Sequence, residues 1–394
     1  MSEIAGRAVR LARFVVGFSL ITLPLTACSS GAGWIGRPAI PTHDLLRGTS
    51  LRLATPAAEV PSPEEVLAVT PEMRVFLDSH VDRRAAEAPR LRQLVWAIID
   101  SGTFGVRYDD KTRTASETFR VREGNCLSFS TMFIAMARYE GLDVQYQEVD
   151  IPPDWTMSRD TFVLNQHVNV FVDLGSDGRR VVDFNMSDFR STYPMRRISD
   201  QRAIAHYYNN IGVERMQAGD VATALYCFRK AVTSSGERYS PAWTNLGTLY
   251  LRYGDRAYAE AAYLQAIQVN SSDLVAMSDL ARLYDLMGDL DRAAALQKRV
   301  VDHRQQNPYY RYELARRAYV EGEYDQAIRH LRFAIRKHPR EDRFDFMMAL
   351  CYFQKGDVTT AQRWMTRAEE VAATPNLKIH YSSKIDLLMR QSRR

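Results

Sequence analysis

The sequence predicts an α+β domain over residues 64–200, with helices packed on an antiparallel sheet, followed by an all-α repeat solenoid over 201–374. Three observations carry this. Glycines recur at 219, 254, 288, 322 and 356, in steps of 35, 34, 34 and 34. The apolar period changes from three-and-four to two just after residue 142, as it does where a helix gives way to strands. The long apolar run, FVVGFSLITLPL (14–25), stands at the N-terminus, outside both units. Composition sets the bounds. With 46% apolar residues, 5 Trp, 20 Tyr and 16 Phe, the 394-residue chain is globular rather than disordered. A net charge of +5 is too small for a protein built to grip phosphates, so no nucleic-acid partner is expected. Cysteines at 28, 126, 227 and 351 are too scattered for a disulfide framework. They form no C-x2-C pair, and neither a metal nor a cofactor is implied.

Residues 1–27 have the layout of an export signal. Arg7, Arg10 and Arg13 precede the apolar run, which is too short to span a bilayer, since that takes about 20 residues. The run ends in Leu25-Thr26-Ala27-Cys28, which resembles the bacterial lipobox. That resemblance implies cleavage before Cys28, acylation of Cys28 and attachment to a membrane. Ser29 stands where an Asp implies inner-membrane retention, so the expected location is the periplasmic face of the outer membrane. Residues 28–63, rich in Pro, Gly, Ser and Thr, read as the lipidated cysteine and a flexible tether, with a short local element at 44–54.

The middle domain opens with helical segments at 63–81 and 86–100. The segment 126–142 is a third helix. Phe129, Phe133, Met136 and Ala137 share one face, and Gly141 stops it. Strands follow at 143–151, 166–174 and 179–185, the second alternating Val168, Val170 and Val172 on one side. Gly124-Asn125-Cys126 places a thiol at a helix N-terminus, where unpaired N–H groups and the helix dipole favour a thiolate. His167 lies on the second strand and Asp183 on the third, with Asp173 and Asp188 as substitutes for the acid.

This arrangement resembles the transglutaminase-like branch of the papain-type cysteine enzymes. The motifs are Gly124-Asn125-Cys126-Leu127-Ser128-Phe129, Gln166-His167-Val168 and Val182-Asp183-Phe184. The resemblance implies Cys126 as nucleophile, His167 as base and then acid, Asp183 as the group orienting the imidazole, and the Cys126 N–H as one oxyanion donor. His167 and Asp183 must share a sheet face to meet. Pairing 167 with 183 leaves a five-residue connection, Asp173–Asp177. A two-residue turn at Asp177-Gly178 would put Val172 opposite Asp183 and turn the acid away.

In the C-terminal half, alanines follow each periodic glycine by five, at 224, 259, 293, 327 and 361. Small residues precede the glycines by seven, at Gly212, Gly247, Ala281, Ala315 and Ala349. With Trp243-x2-Leu246-Gly247-x2-Tyr250 and Ala259-x3-Tyr263-x2-Ala266, this register resembles the tetratricopeptide repeat (TPR) five times over, although Gln297 replaces a usual bulky residue. The resemblance implies stacked helix pairs with a concave groove for a protein or peptide partner. Asn209, Tyr250, Arg282, Tyr284, Arg316 and Tyr319 are candidates to line it. Cys227 and Cys351 are expected as buried structural thiols, and 375–394 as a capping helix with Leu377, Ile379, Ile385, Leu387 and Leu388 inward.

The function expected from these parts is a membrane-anchored thiol enzyme. It acts through a thioester on peptide or protein amide bonds, hydrolysis being favoured over cross-linking, and the repeats hold the substrate or partner. The alternative is a lipid-anchored TPR scaffold whose middle domain binds peptides without turnover.

Overall fold

The computed structural model describes residues 36–51, 53, 57–100, 102–158, 161–184, 193–236, 238–372, 377–379 and 381–384, without the side chains of 151–158 and 161–166. The signal segment, Cys28 and Asp188 lie outside these residues. From Arg37 onward the chain groups as one compact unit. No helix among the described residues is long and apolar enough to cross a membrane.

A short helix α1 (Thr42–Arg47) comes first, closed by Gly48 at φ 70°. Residues 63–81, expected as one helix, form two, α2 (Pro63–Val66) and α3 (Pro71–His80). Pro71 is the reason. A proline cannot continue the preceding turn but suits a first helical position, and Thr70 caps the new start by accepting from the Met73 N–H. α4 (Glu87–Ile99) follows. Three elements not read from sequence come next: β1 (Arg107–Tyr108), α5 (Ala115–Val121) and β2 (Glu123–Gly124), with β1 and β2 pairing in parallel. α6 (Cys126–Tyr139) is buried along most of its length, from Leu127 to Ala137.

The sheet is four-stranded and antiparallel, in the order β5-β4-β3-β6. Its strands are β3 (Asp143–Ser158), β4 (Thr161–Asp173), β5 (Arg179–Val182) and β6 (Met195–Ile198). β3 and β4 run on past the ends read from sequence. The expected Pro-rich loop is part of β3, and Pro152 and Pro153 fall where the register shifts between Asp150 and Trp155, a place where a missing N–H is tolerated. β4 and β5 pair Asp173 with Arg179 and Val170 with Val182. The connection is therefore the five residues Leu174–Gly178, not the tight turn. The register differs by two residues from a 167–183 pairing, a shift that preserves the face.

Five helix pairs complete the chain. They are α7 (Asp200–Gln217) with α8 (Val221–Ser234), α9 (Ser240–Arg252) with α10 (Arg256–Val269), α11 (Leu274–Met287) with α12 (Leu290–Gln306), α13 (Pro308–Val320) with α14 (Tyr324–Lys337), and α15 (Asp342–Gln354) with α16 (Val358–Val371). Every periodic glycine sits in the turn inside a pair, at φ between 79° and 83°, a conformation other residues rarely take. The small residues are equally forced. A Cβ on Gly247 would stand 2.7 Å from the Tyr263 ring, and one on Gly212 would stand 2.6 Å from Phe228. Gly247→Ala is expected to cost about 1–3 kcal/mol by pushing α9 off α10. A chemical-denaturation midpoint unchanged from wild type would contradict this close approach.

Two expectations about the ends change. Residues 41–51 and 57–62 are not a free tether: Leu45 is fully buried and Leu51 nearly so, and Ala58 and Pro61 bond to Thr223 and Tyr208. At the other end, Leu377–Ile379 and Tyr381–Lys384 are helical, and Leu377 and Tyr381 pack on Ala349, Met365 and Ala368. Ile379, expected inward, is exposed; Tyr381 takes the inward place and its hydroxyl donates to Asp342 at 2.6 Å. Ile385, Leu387 and Leu388 lie outside the described residues.

Candidate active site

The start of α6 is held from several directions. Asn125 caps it, its side-chain oxygen accepting from the Ser128 N–H at 2.9 Å. The Asn125 amide donates to Thr112 Oγ1 at 2.8 Å, and Ser128 Oγ accepts from the Arg113 N–H at 2.9 Å. Gly124 is obligatory, because a Cβ there would stand 2.6 Å from the Ser128 Cβ. The first residue after the cap is Cys126, which is half-buried and free, so its thiol sits over the unpaired N–H groups of a helix start.

β4 and β5 bring the other two residues to it. Ser130 Oγ donates to the Val168 carbonyl at 3.1 Å, fastening α6 beside His167. The Phe184 ring, next to Asp183, lies 5.6 Å from Phe129 and 5.8 Å from Phe133. His167 Nε2 and Asp183 Oδ2 are 2.7 Å apart, both buried. The Cys126 side chain stands near enough to His167 to act on its imidazole, favouring the charged ring. With Nε2 taken by Asp183, Nδ1 is the ring nitrogen left for sulfur. Burial alone would lower the imidazole pKa. The hydrogen bonds and charges of Asp183 and Cys126 outweigh it and raise the pKa to about 10.

This has a consequence for stability. A group whose pKa rises on folding stabilises fully below its ordinary value, 6.5, and the contribution fades as pH climbs through about 10. The difference in melting temperature between wild type and His167→Ala should be largest below pH 6.5 and narrow steadily toward pH 10. A flat difference over that range would contradict the assignment.

The structure brings Cys126, His167 and Asp183 together. It does not bring Asp173, which sits at the far end of β4 near Arg179 at 3.8 Å. One residue escaped the sequence reading. Asn169 donates from Nδ2 to the same Asp183 oxygen at 3.0 Å, and its own Oδ1 is buried with no protein partner among the described residues. The carboxylate fixes which way this amide points. The signal was present, since Asn169 is two residues from His167 and alternation puts both on one face.

A second charged cluster lies one step along the sheet, on the opposite face by alternation. Glu148, paired with Val168 in the ladder, is buried. It meets Arg196, Arg202 and His206, with His206 Nε2 at 2.6 Å, and the Tyr239 hydroxyl meets His206 Nδ1 at 2.7 Å. Burial would raise the Glu148 pKa, but these partners hold it well below the ordinary carboxylate range. α7 thus binds the sheet through Arg202 and His206. It also binds the loop before Cys126, because Glu214 accepts from the Thr112 N–H at 2.9 Å.

The candidate groove residues are largely committed within the chain. Tyr250 is fully buried and donates to the Leu45 carbonyl. Asn209 accepts from Asn245, Arg282 pairs with Asp279, Tyr284 donates to Glu260, Arg316 pairs with Glu313, and Tyr319 accepts from Gln354. The reason is that the stacked repeats, and the segment before them, satisfy these polar groups internally. Cys227 and Cys351 are buried and free, as expected, and burial pushes their thiols up to about 12 and about 11.

Comparison with known proteins bears on the helical half. A tetratricopeptide-repeat family model matches residues 244–309 and 312–377. The uncharacterized protein ycf37 of Pyropia yezoensis is 36% identical over 56 residues, 14% of this chain, which spans about a third (32%) of that relative's length. Among solved structures, MamA is 20% identical, over 43% of this chain and 91% of its own, with a TM-score of 0.24. YrrB, described as a TPR protein with an unusual peptide-binding site, is 16% identical over 45% and 92%, also with a TM-score of 0.24. Pseudomonas aeruginosa pilF is 12% identical over 50% and 88%, with a TM-score of 0.26. The matched segments begin inside the second helix pair, and the pair before them follows the same glycine register. The chain therefore carries an array of tetratricopeptide repeats, an architecture of protein–protein interaction.

Proposed function

We propose that the protein is a thiol-dependent acyl-transfer enzyme of the transglutaminase-like type, acting on peptide or protein amide bonds, with hydrolysis favoured over cross-linking. The observation that carries this reading is that His167, hydrogen-bonded to Asp183 at 2.7 Å, also has the helix-start Cys126 near enough to act on its imidazole. An imidazolium beside a helix-start sulfur favours the thiolate, which attacks the substrate carbonyl while the Cys126 N–H faces the developing oxyanion. The new C–S bond forms as the C–N bond breaks, and His167 gives its proton to the leaving amine. It then takes one from water, whose hydroxide releases the acid from the thioester. Asp183 and Asn169 hold the ring in place throughout. The repeats bind the protein substrate or a partner. In this reading acylated Cys28 anchors the chain at the periplasmic face of the outer membrane.

The test is proteomics of envelope proteins from cells carrying wild type or Cys126→Ala. New termini that depend on Cys126 support hydrolysis, and isopeptide links support transfer. The scaffold reading has its own support in the repeat array. It predicts the same envelope proteome for both strains together with unchanged partner binding.

A further inference from the structure

We infer that residues 41–51 and 57–62 are an intramolecular ligand of the repeat array. They occupy a peptide-binding track on the edge formed by the turns inside the first two helix pairs, and a second protein's segment of the same chemistry can take that track. The contacts follow one another along the chain. Leu45 is fully buried, and its carbonyl accepts from the Tyr250 hydroxyl at 2.5 Å. Thr49 Oγ1 meets the Tyr258 hydroxyl at 2.9 Å, the Ala58 N–H donates to Thr223 Oγ1 at 2.8 Å, and the Pro61 carbonyl accepts from the Tyr208 hydroxyl at 2.8 Å. Thr223, Tyr250 and Tyr258 each lie four residues from Gly219 or Gly254, so they line one edge of neighbouring repeats.

Two features mark this as ligand recognition rather than general packing. Three of the four hydrogen bonds go to the backbone of the segment, so the repeats hold its main chain more than its side chains. The side-chain demand falls on two apolar anchors, Leu45 and Leu51, and one glycine. Gly48 has φ 70°, and a Cβ on it would stand 2.2 Å from Leu225 Cδ2. The partner that fits is therefore a polypeptide segment with a short helix carrying a leucine, closed three residues later by glycine, with a second leucine three residues beyond that. Tethering gives the resident segment a millimolar-scale effective concentration, which keeps free segments out until they are abundant or the resident one is pulled away. The inference does not depend on Cys126.

The probe is a fluorescein-labelled peptide of residues 38–62, titrated into the full chain and into a full-length Leu45→Asp, Gly48→Val variant. The expected result is binding at least tenfold tighter to the variant, with competition by unlabelled peptide but not by a peptide carrying Gly48→Val. Equal binding to both proteins, or none to the variant, overturns the inference. Should the variant fail to fold by circular dichroism, a wild-type chain cut in place at a protease site built over 53–56 decides it. Excess peptide 38–62 should release the cut N-terminal fragment, and retention of that fragment overturns the inference.

Discussion

Alkylation of Cys126 by iodoacetamide at pH 6 should be fast in the wild-type protein and on the order of 100-fold slower in His167→Ala. An ordinary thiol, with a pKa of about 8.5, is only roughly 0.3% thiolate at pH 6. A ring cation held beside the sulfur by Asp183 favours its attack, and His167→Ala removes that cation. The gain stays near a hundredfold because a more stable thiolate is also a weaker nucleophile. The assay is selective within the described residues, since burial raises the Cys227 and Cys351 thiols and keeps them unreactive. Quantifying the alkylated peptide that contains residue 126 makes the reading specific. Asp183→Asn should fall between wild type and His167→Ala, because it keeps a hydrogen-bonding partner for the ring but removes the charge that holds the imidazolium. Equal rates in wild type and His167→Ala would leave the scaffold reading.

Glu148→Leu should destabilise the junction between sheet and repeats by about 3 kcal/mol, near the lower end for breaking a buried ion pair. Glu148 and His206 are buried and Arg202 is largely so, so removing the carboxylate strands the Arg202 guanidinium and a His206 ring nitrogen where water cannot replace it. Arg196 is mostly exposed and turns to solvent at little cost. The pH dependence has a definite sign. A carboxylate whose pKa falls on folding stabilises above its ordinary value, 4.5, and the contribution is lost as pH drops below that. The deficit of the variant should therefore be full at pH 7 and shrink on acidification below pH 4.5. Differential scanning fluorimetry across pH 3–7 checks this, and a deficit that grows toward low pH would contradict it.

The repeat half was legible because its constraints are local and recur. Each periodic glycine is forced by a positive φ, and Gly212 and Gly247 by a facing ring, so the same spacing returns with every repeat. The approach of Cys126, His167 and Asp183 to one another was legible for a related reason. A helix-start cysteine and two strand residues of one parity leave few ways to fold, and a connection that preserves parity tolerated a register two residues from the one expected. What was hidden depends on contacts distant in sequence. The stretch 28–63 reads as tether because it is rich in Pro, Gly, Ser and Thr, and its contacts appear only once Tyr208, Thr223 and Tyr250 meet its backbone and Tyr258 meets Thr49. Glu148 looks like any strand carboxylate until α7 and Tyr239 close over it. Asn169 is polar in a run of valines and becomes meaningful once Asp183 is opposite it.

In the proposed enzyme an imidazolium sits between a thiol and a carboxylate, and the imidazole itself reports on it. Proteins labelled at histidine Cε1 can be titrated by NMR, with the His167 resonance assigned from its loss in His167→Gln. The account predicts that His167 stays protonated from pH 5 to pH 8 and releases its proton near pH 10, whereas in Asp183→Asn it moves back toward the ordinary value of 6.5. A His167 that titrates near 6.5 in the wild-type protein, with the same midpoint in Asp183→Asn, would contradict it.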